Sequence, residues 1–177
     1  MKNVGIISDY DELSEFLVLI LKELGYKAKI LTEPIFKKKC DFVSVFSNNI
    51  ALYKELNVVL LEKNIPWISC RTLEKYIEIG PLVIPHKTLC INCYFKRRFS
   101  HIGKESDNIY KRETTIPPCV RFLLCGIVAS EIYKYFNSTP STLERILLIN
   151  SDTLEIKRYR VYKIPWCNVC GEQNEYF

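Results

Sequence analysis

DFVSVFSNNIALYKELNVVLLEKNIPWISC, residues 41 to 70, reads as a strand, a helix and a second strand. DFVSVF is a run of β-branched and aromatic residues that stops at the polar Ser47, Asn48 and Asn49. Leu52, Leu56, Val59 and Leu60 then recur at three- and four-residue intervals, the signature of one helical face. IPWISC is short, apolar and β-prone, so it reads as the next strand. A helix folded back between two strands is a crossover that leaves them parallel.

Toward the amino terminus the same unit recurs. NVGIIS (3–8) is a strand, and LSEFLVLILKELGYK brings Leu13, Phe16, Leu17, Ile20, Leu21 and Leu24 onto one helical face. Asp11 is placed to cap that helix and Gly25 to end it, after which KAKILT is a strand. Two such units in tandem predict an open α/β sheet of the nucleotide-binding type.

After residue 71 the character changes. EIGPLVIP predicts a strand broken by Gly80 and Pro81, leading into KTLCINCYFKRRF (87–99). Residues 96 to 115 are rich in Lys, Arg and Ser and predict an exposed loop. PPCVRFLLCGIVASEIYKYF (117–136) predicts the most apolar helix, with prolines suited to its first turn. LERILLIN and LEIKRYRVY, joined at SDT, predict a hairpin, and IPWCNVCG follows.

Cys90 and Cys93 form one Cys-x-x-Cys and Cys167 and Cys170 another. One such pair is weak evidence, but two pairs offer the four thiolates of a closed tetrahedral metal site. Gly171 suits a knuckle in which backbone amides approach the sulfurs. The favoured reading is a structural zinc that ties the carboxyl tail to the middle of the chain. A redox couple, which wants its Cys-x-x-Cys at a helix amino terminus, and a metal-free cluster are the alternatives. Four thiolates leave no open position for catalysis. Cys40, Cys70, Cys119 and Cys125 read as small core residues.

The expected class is therefore α/β: a truncated Rossmann-like open sheet followed by an antiparallel β and helical portion bearing zinc. Residues 1–71 form the Rossmann-like half and 72–177 the zinc-stapled portion, integrated into one domain. The longest apolar run, FLVLIL (16–21), lies between Glu15 and Lys22 and is too short to span a membrane, and MKNVGIISDY lacks the features of a secretion signal. A cytoplasmic protein without structural disulfides is expected. The net charge of +5 suits an acidic partner and is too small to indicate nucleic acid, which disfavours a zinc-knuckle nucleic-acid binder.

With these segments placed, the sequence resembles the ThiF/MoeB-like, ubiquitin-activating-like superfamily, whose members adenylate the carboxyl termini of small protein partners. More narrowly it is similar to the degenerate, leader-peptide-binding branch that partners cyclodehydratases in azole-forming (bacteriocin-type) ribosomal-peptide pathways. Three stretches carry the match, in order from about residue 41 to 171. They are the strand–helix–strand at 41–70 with its Leu56-Asn57 pair, IGPLVIPHKTLCINCYFKRR, and the closing IPWCNVCG.

The departures are concentrated in one place. Active members carry a glycine-rich phosphate loop after the first strand; here ISDYDEL has no glycine and three carboxylates, which repel polyphosphate. Glu33 stands where an acidic residue would hold a ribose, but Pro34 follows it. Lys37, Lys38 and Lys39 read as a solvated turn rather than triphosphate ligands. Asn48 replaces a metal-binding aspartate and, being neutral, suits magnesium poorly.

The resemblance then implies a non-catalytic scaffold with structural zinc on Cys90, Cys93, Cys167 and Cys170, no ATP and no catalytic residue. It would help present a precursor peptide to a YcaO-type cyclodehydratase, with a flavin dehydrogenase as a further partner and a homodimer or hetero-complex as the assembly. The alternative is a minimal ATP-dependent enzyme that adenylates a peptide carboxyl terminus. No winged-helix peptide clamp is expected ahead of the first strand, so another chain supplies it or peptide binds by strand addition. Lys157, Arg158 and Arg160 beside Tyr159 and Tyr162 mark a candidate edge for this, although an ordinary solvated edge strand is the favoured reading. Lys96, Arg97, Arg98, Lys111 and Arg112 would need a groove to bind phosphate, and His86 and His101 read as lone polar histidines.

Overall fold

The computed structural model describes residues 1–31, 40–73, 75–100 and 117–171. Seven strands form a sheet in the order β2-β1-β3-β4-β5-β6-β7. The first four, β1 (Asn3–Ser8), β2 (Lys27–Ile30), β3 (Phe42–Phe46) and β4 (Trp67–Leu73), run parallel. The last three, β5 (Tyr76–Val83), β6 (Arg145–Asn150) and β7 (Ile156–Arg160), continue the sheet in antiparallel fashion. The direction switches between Leu73 and Tyr76, since so short a separation can only reverse the chain.

Helices cover both faces. On one, α1 (Asp11–Glu23) and α4 (Pro118–Asn137) pack over Val4, Ile6, Phe42, Ile68 and Leu147. On the other, α2 (Ile50–Glu62) and α3 (Ile91–Phe99) pack over Val43, Val45, Trp67 and Val83. β3 is buried along its whole length, as a central parallel strand covered on both sides must be.

Several sequence expectations change. The Lys/Arg-rich segment from residue 96 is not a loop at its start: α3 runs through Phe99, with Ile91, Tyr94, Phe95 and Phe99 buried. Charge at Lys96, Arg97 and Arg98 masked an apolar stripe at three- and four-residue spacing. The rest of that segment, including His101, Lys111 and Arg112, lies outside the described residues, as do Glu33, Pro34, Lys37, Lys38 and Lys39.

Gly80 and Pro81 do not interrupt β5. Gly80 takes φ +93°, and a Cβ there would sit 2.7 Å from the Arg145 carbonyl, so the strand crosses β6 closely only because this residue is glycine. In α1 the cap position belongs to Tyr10, not Asp11, while Gly25 ends the helix at φ +84° as expected. Cys70 and Cys125 are core residues, but Cys119 is exposed and Cys40 half-buried. The buried face of α2 centres on Tyr53, Leu56, Asn57 and Leu60; Leu52 and Val59 lie at its margin.

Candidate metal centre

The first Cys-x-x-Cys follows β5 through a turn fastened by Thr88, whose Oγ1 accepts from the Ile84 amide at 2.8 Å. Cys90 occupies the cap position of α3 and Cys93 lies in its first turn, where the Cys93 amide donates to the Cys90 carbonyl at 3.1 Å. The second pair comes from the segment after β7, with the Gly171 amide donating to the Cys167 carbonyl at 2.7 Å. A Cβ on Gly171 would lie 2.5 Å from that carbonyl oxygen, so the turn closes only around a glycine.

The two knuckles meet. Cys90 Sγ lies 3.8 Å from Cys93 Sγ and 3.8 Å from Cys167 Sγ, and Cys93 Sγ lies 3.4 Å from Cys170 Sγ. All four sulfurs fall within 4.8 Å of one another. Ligands about 2.3 Å from one tetrahedral ion are separated by about 3.8 Å, so the spacing fits a shared metal. Cys90, Cys93 and Cys167 are buried and Cys170 half-buried. The Ile164 amide donates to Cys93 Sγ at 3.4 Å, the kind of contact that stabilises a thiolate.

Electrostatics favour the same state. Hydrogen bonds from the neighbouring Cys170 and Cys90 thiols pull Cys93 down to about 2, making it the first thiolate. Its partner Cys90 is pushed up by hydrogen bonding to Cys170 and Cys93 and by burial. A cation at the centre removes this conflict, since it ionises coordinating thiols outright.

The first pair does occupy a helix amino terminus, the setting of a redox couple. What separates it from one is the second pair, delivered against it from a distant part of the sequence. The four cysteines singled out by spacing are thus brought together, and the arrangement can hold a metal ion.

Residues to which the sequence reading gave no part in a metal site support this centre. Asn57 of α2 is 1% exposed, and its Oδ1 accepts from the Ile91 amide at the start of α3. Arg97 donates to the carbonyls of Tyr162 and Lys163, at 2.8 and 3.3 Å, fixing the chain just ahead of the second knuckle. Asn168 between the cysteines accepts from Lys96 at 3.0 Å. Beneath α3, Arg71 and Glu78 face each other across β4 and β5 with 1% and 0% exposure, and Arg98 completes the pair at 3.2 Å from Glu78. Arg71 also lies 5.1 Å from the Phe95 ring. Alternation on β5 would have flagged Glu78 as an inward carboxylate, but its partners come from two other elements.

The carboxyl ends of β1, β3 and β4, where a doubly wound sheet binds its ligand, are different. Asn48 Oδ1 accepts from the Thr72 amide at 2.9 Å, and Asn48 Nδ2 donates to Thr72 Oγ1 at 3.1 Å. Tyr10 reaches across from the first turn to the same hydroxyl, at 3.1 Å. Below them Tyr53 Oη lies 2.5 Å from the Cys70 carbonyl and accepts from the Ser47 amide at 3.2 Å. Asp11 and Glu12 stand in the first turn of α1, where a phosphate would need positive charge. Asn49 is used to cap α2, at 3.0 Å from the Ala51 amide.

No protein-family profile and no curated protein sequence matches the chain. Solved structures do. A heterocyclase in complex with substrate and cofactor superposes with a TM-score of 0.77 at 19% identity, covering 96% of this chain and 25% of that one. The heterocyclase TruD gives 0.73 at 18%, covering 96% and 27%. MccB of E. coli gives 0.66 at 16%, covering 97% and 65%, and has also been solved with ATP and with MccA. The chain spans about a quarter of each heterocyclase and about two thirds of MccB. The resemblance read from the sequence therefore extends to three dimensions, and this chain carries the mixed α/β fold that the heterocyclases and MccB contain.

Proposed function

We propose that this protein is a non-catalytic, zinc-stapled scaffold in a complex that forms thiazole or oxazole rings in a ribosomally made peptide. It helps bind the precursor and present it to a YcaO-type cyclodehydratase that carries out the ATP-dependent step. The observation that carries the reading is the likeness of 96% of the chain to part of a heterocyclase. Zinc held by Cys90, Cys93, Cys167 and Cys170 supplies no chemistry; it joins α3 to the segment after β7, so the antiparallel half keeps one shape. Residues 1–71 supply the Rossmann-like half of this scaffold and 72–177 the stapled portion. The protein works in the cytoplasm, as a homodimer or in a hetero-complex, with a flavin dehydrogenase as a further partner of the pathway.

The non-catalytic part of the proposal is supported by the saturated network of Tyr10, Asn48 and Thr72. Those groups hydrogen-bond to one another where a nucleotide would need them, and Asn48 has no charge to offer magnesium.

Reconstitution tests the proposal. The chain should bind about one zinc, co-purify with a cyclodehydratase, and raise ring formation on the precursor when added to that enzyme. Ring formation that proceeds equally well without the chain would refute the scaffold role.

A second reading has one observation in its favour: MccB, with the same fold, has been solved with ATP. A minimal activating enzyme would catalyse ATP–pyrophosphate exchange with a suitable peptide. Robust exchange by the purified chain would establish that reading and displace the scaffold.

A further inference from the structure

β7 ends the sheet, and all five of its residues are exposed. Its inner edge pairs with β6; among the described residues nothing pairs with its outer edge. Strand alternation places Ile156, Arg158 and Arg160 on one face and Lys157 and Tyr159 on the other. Lys157 meets Glu155 at 3.4 Å and Arg160 meets Glu144 at 3.7 Å, all in water, while Arg158 and Lys163 have no anionic partner among the described residues.

An edge that is only guarded against aggregation carries charge and little else. This one also carries Ile156, Tyr159 and Tyr162, between 46% and 56% exposed, and leads to Trp166 at 82%. Trp166 directly precedes Cys167, whose amide is bonded to the Ile164 carbonyl at 3.1 Å, so the indole stands in water on an ordered backbone. Exposed rigid aromatics of this kind are where binding energy concentrates. The charge decides between occupants. A second copy pairing antiparallel would bring one edge's Lys157, Arg158 and Arg160 opposite or diagonal to the other's, and like charges close across strands repel. An acidic strand reverses that repulsion.

We propose that the outer edge of β7 captures an extended acidic polypeptide segment by strand addition, with Tyr159, Tyr162 and Trp166 as its apolar anchors. The inference rests on the scaffold reading for its biological role and names where the peptide sits. Backbone amides and carbonyls of β7 supply the register, and the cations select the sequence.

Fluorescence anisotropy on the full chain tests it, with a labelled peptide of about ten residues alternating Glu with Val and Tyr as the probe. The peptide should bind, and more weakly as salt rises. A lysine-for-glutamate version, and one N-methylated at alternate backbone nitrogens, should each bind about tenfold more weakly or worse. Arg158→Glu with Arg160→Glu should invert the preference toward the lysine peptide without moving the unfolding midpoint, since both side chains are exposed. Trp166→Ala should weaken binding severalfold. No binding of the acidic probe, equal binding of the N-methylated probe, unchanged binding by the double variant, or tighter binding of a single-stranded RNA would each overturn the assignment. The assay needs no cyclodehydratase. Its failure leaves the scaffold role to the ring-formation test, and failure of that test leaves the edge assignment standing.

Discussion

The two ends of the sheet solve opposite problems with similar materials. At the carboxyl ends of β1, β3 and β4, polar groups gather where related folds bind a ligand, yet each finds its partner within the chain. Asn48, Thr72 and Tyr10 close on one another, and Tyr53 bridges the strands beneath them. In the antiparallel half, four sulfurs gather from two distant segments and find mainly one another. A network of neutral donors and acceptors can be complete in itself. In the sulfur cluster Cys93 is lowered by hydrogen bonds from its neighbours while hydrogen bonding and burial raise Cys90, and a cation would relieve that conflict. One end is closed by the protein, and the other can be closed by a metal ion.

Removing that cation should break the comparison most visibly. Cys93→Ser with Cys170→Ser, or a strong chelator, should cost on the order of 5 kcal/mol or more, because metal binding energy is folding energy where the site exists only in the folded chain. Metal content and thermal unfolding measured together check it; a variant that unfolds like the parent would mean that the cysteines merely pack. Gly171→Ala is the next largest. Its Cβ meets the backbone of Cys167 and Pro165, with no flexible side chain to yield. Metal affinity should fall about 10- to 100-fold, as for other changes to groups that orient ligands, measured by competition with a chromogenic chelator.

At the closed end, Tyr53→Phe should destabilise by about 1–3 kcal/mol, since the Ser47 amide and Cys70 carbonyl lose their shared partner in a dry core. Denaturant unfolding reads this, and metal affinity should not change.

Glu131, buried on α4 and bonded to Ser141 and Thr142 just ahead of β6, supplies a pH test away from both regions. Burial alone would raise its carboxyl, but hydrogen bonds from Ser141, Lys134 and Thr142 outweigh burial and hold it below 4.5. A carboxyl lowered on folding stabilises the fold above its unfolded pKa, and the contribution is lost as pH falls through the folded value. Glu131→Gln should therefore cost about 1–2 kcal/mol at pH 7, and the gap from the parent should narrow once pH drops below about 4.5. A constant gap across that window would place the cost in shape rather than charge. The smallest effect belongs to Asn48→Asp. The carboxylate can still accept from the Thr72 amide, so stability should shift by less than about 1 kcal/mol. No affinity for a fluorescent ATP analogue should appear, because Tyr10 still fills the position; appearance of such affinity would reopen that end of the sheet.

Much of the architecture was legible because its signals are local. The strand–helix–strand units at 3–30 and 42–73 follow from periodicity, and the hairpin of β6 and β7 from its alternation and turn. α3 was lost because three consecutive cations, Lys96, Arg97 and Arg98, read as solvated chain, while its apolar stripe spans only Ile91 to Phe99 and Arg98 turns inward to Glu78. Asn57 and Arg97 were illegible as supports of the metal centre, since each acts on backbone groups far away in the sequence. Cys119 shows the reverse error: an apolar neighbourhood in sequence became an exposed helical face.

By itself the sequence determined which four cysteines form the candidate metal centre, because knuckle spacing is a property of a few consecutive residues. It also determined that no glycine stands in ISDYDEL at the end of β1, which is a matter of a few consecutive residues. Only the tertiary structure decided that the two knuckles meet, that Tyr10 and Thr72 close around Asn48, and that the outer edge of β7 is unpaired among the described residues. Each of those depends on contacts between segments tens of residues apart, which exist only once burial of both sheet faces has set the strand order.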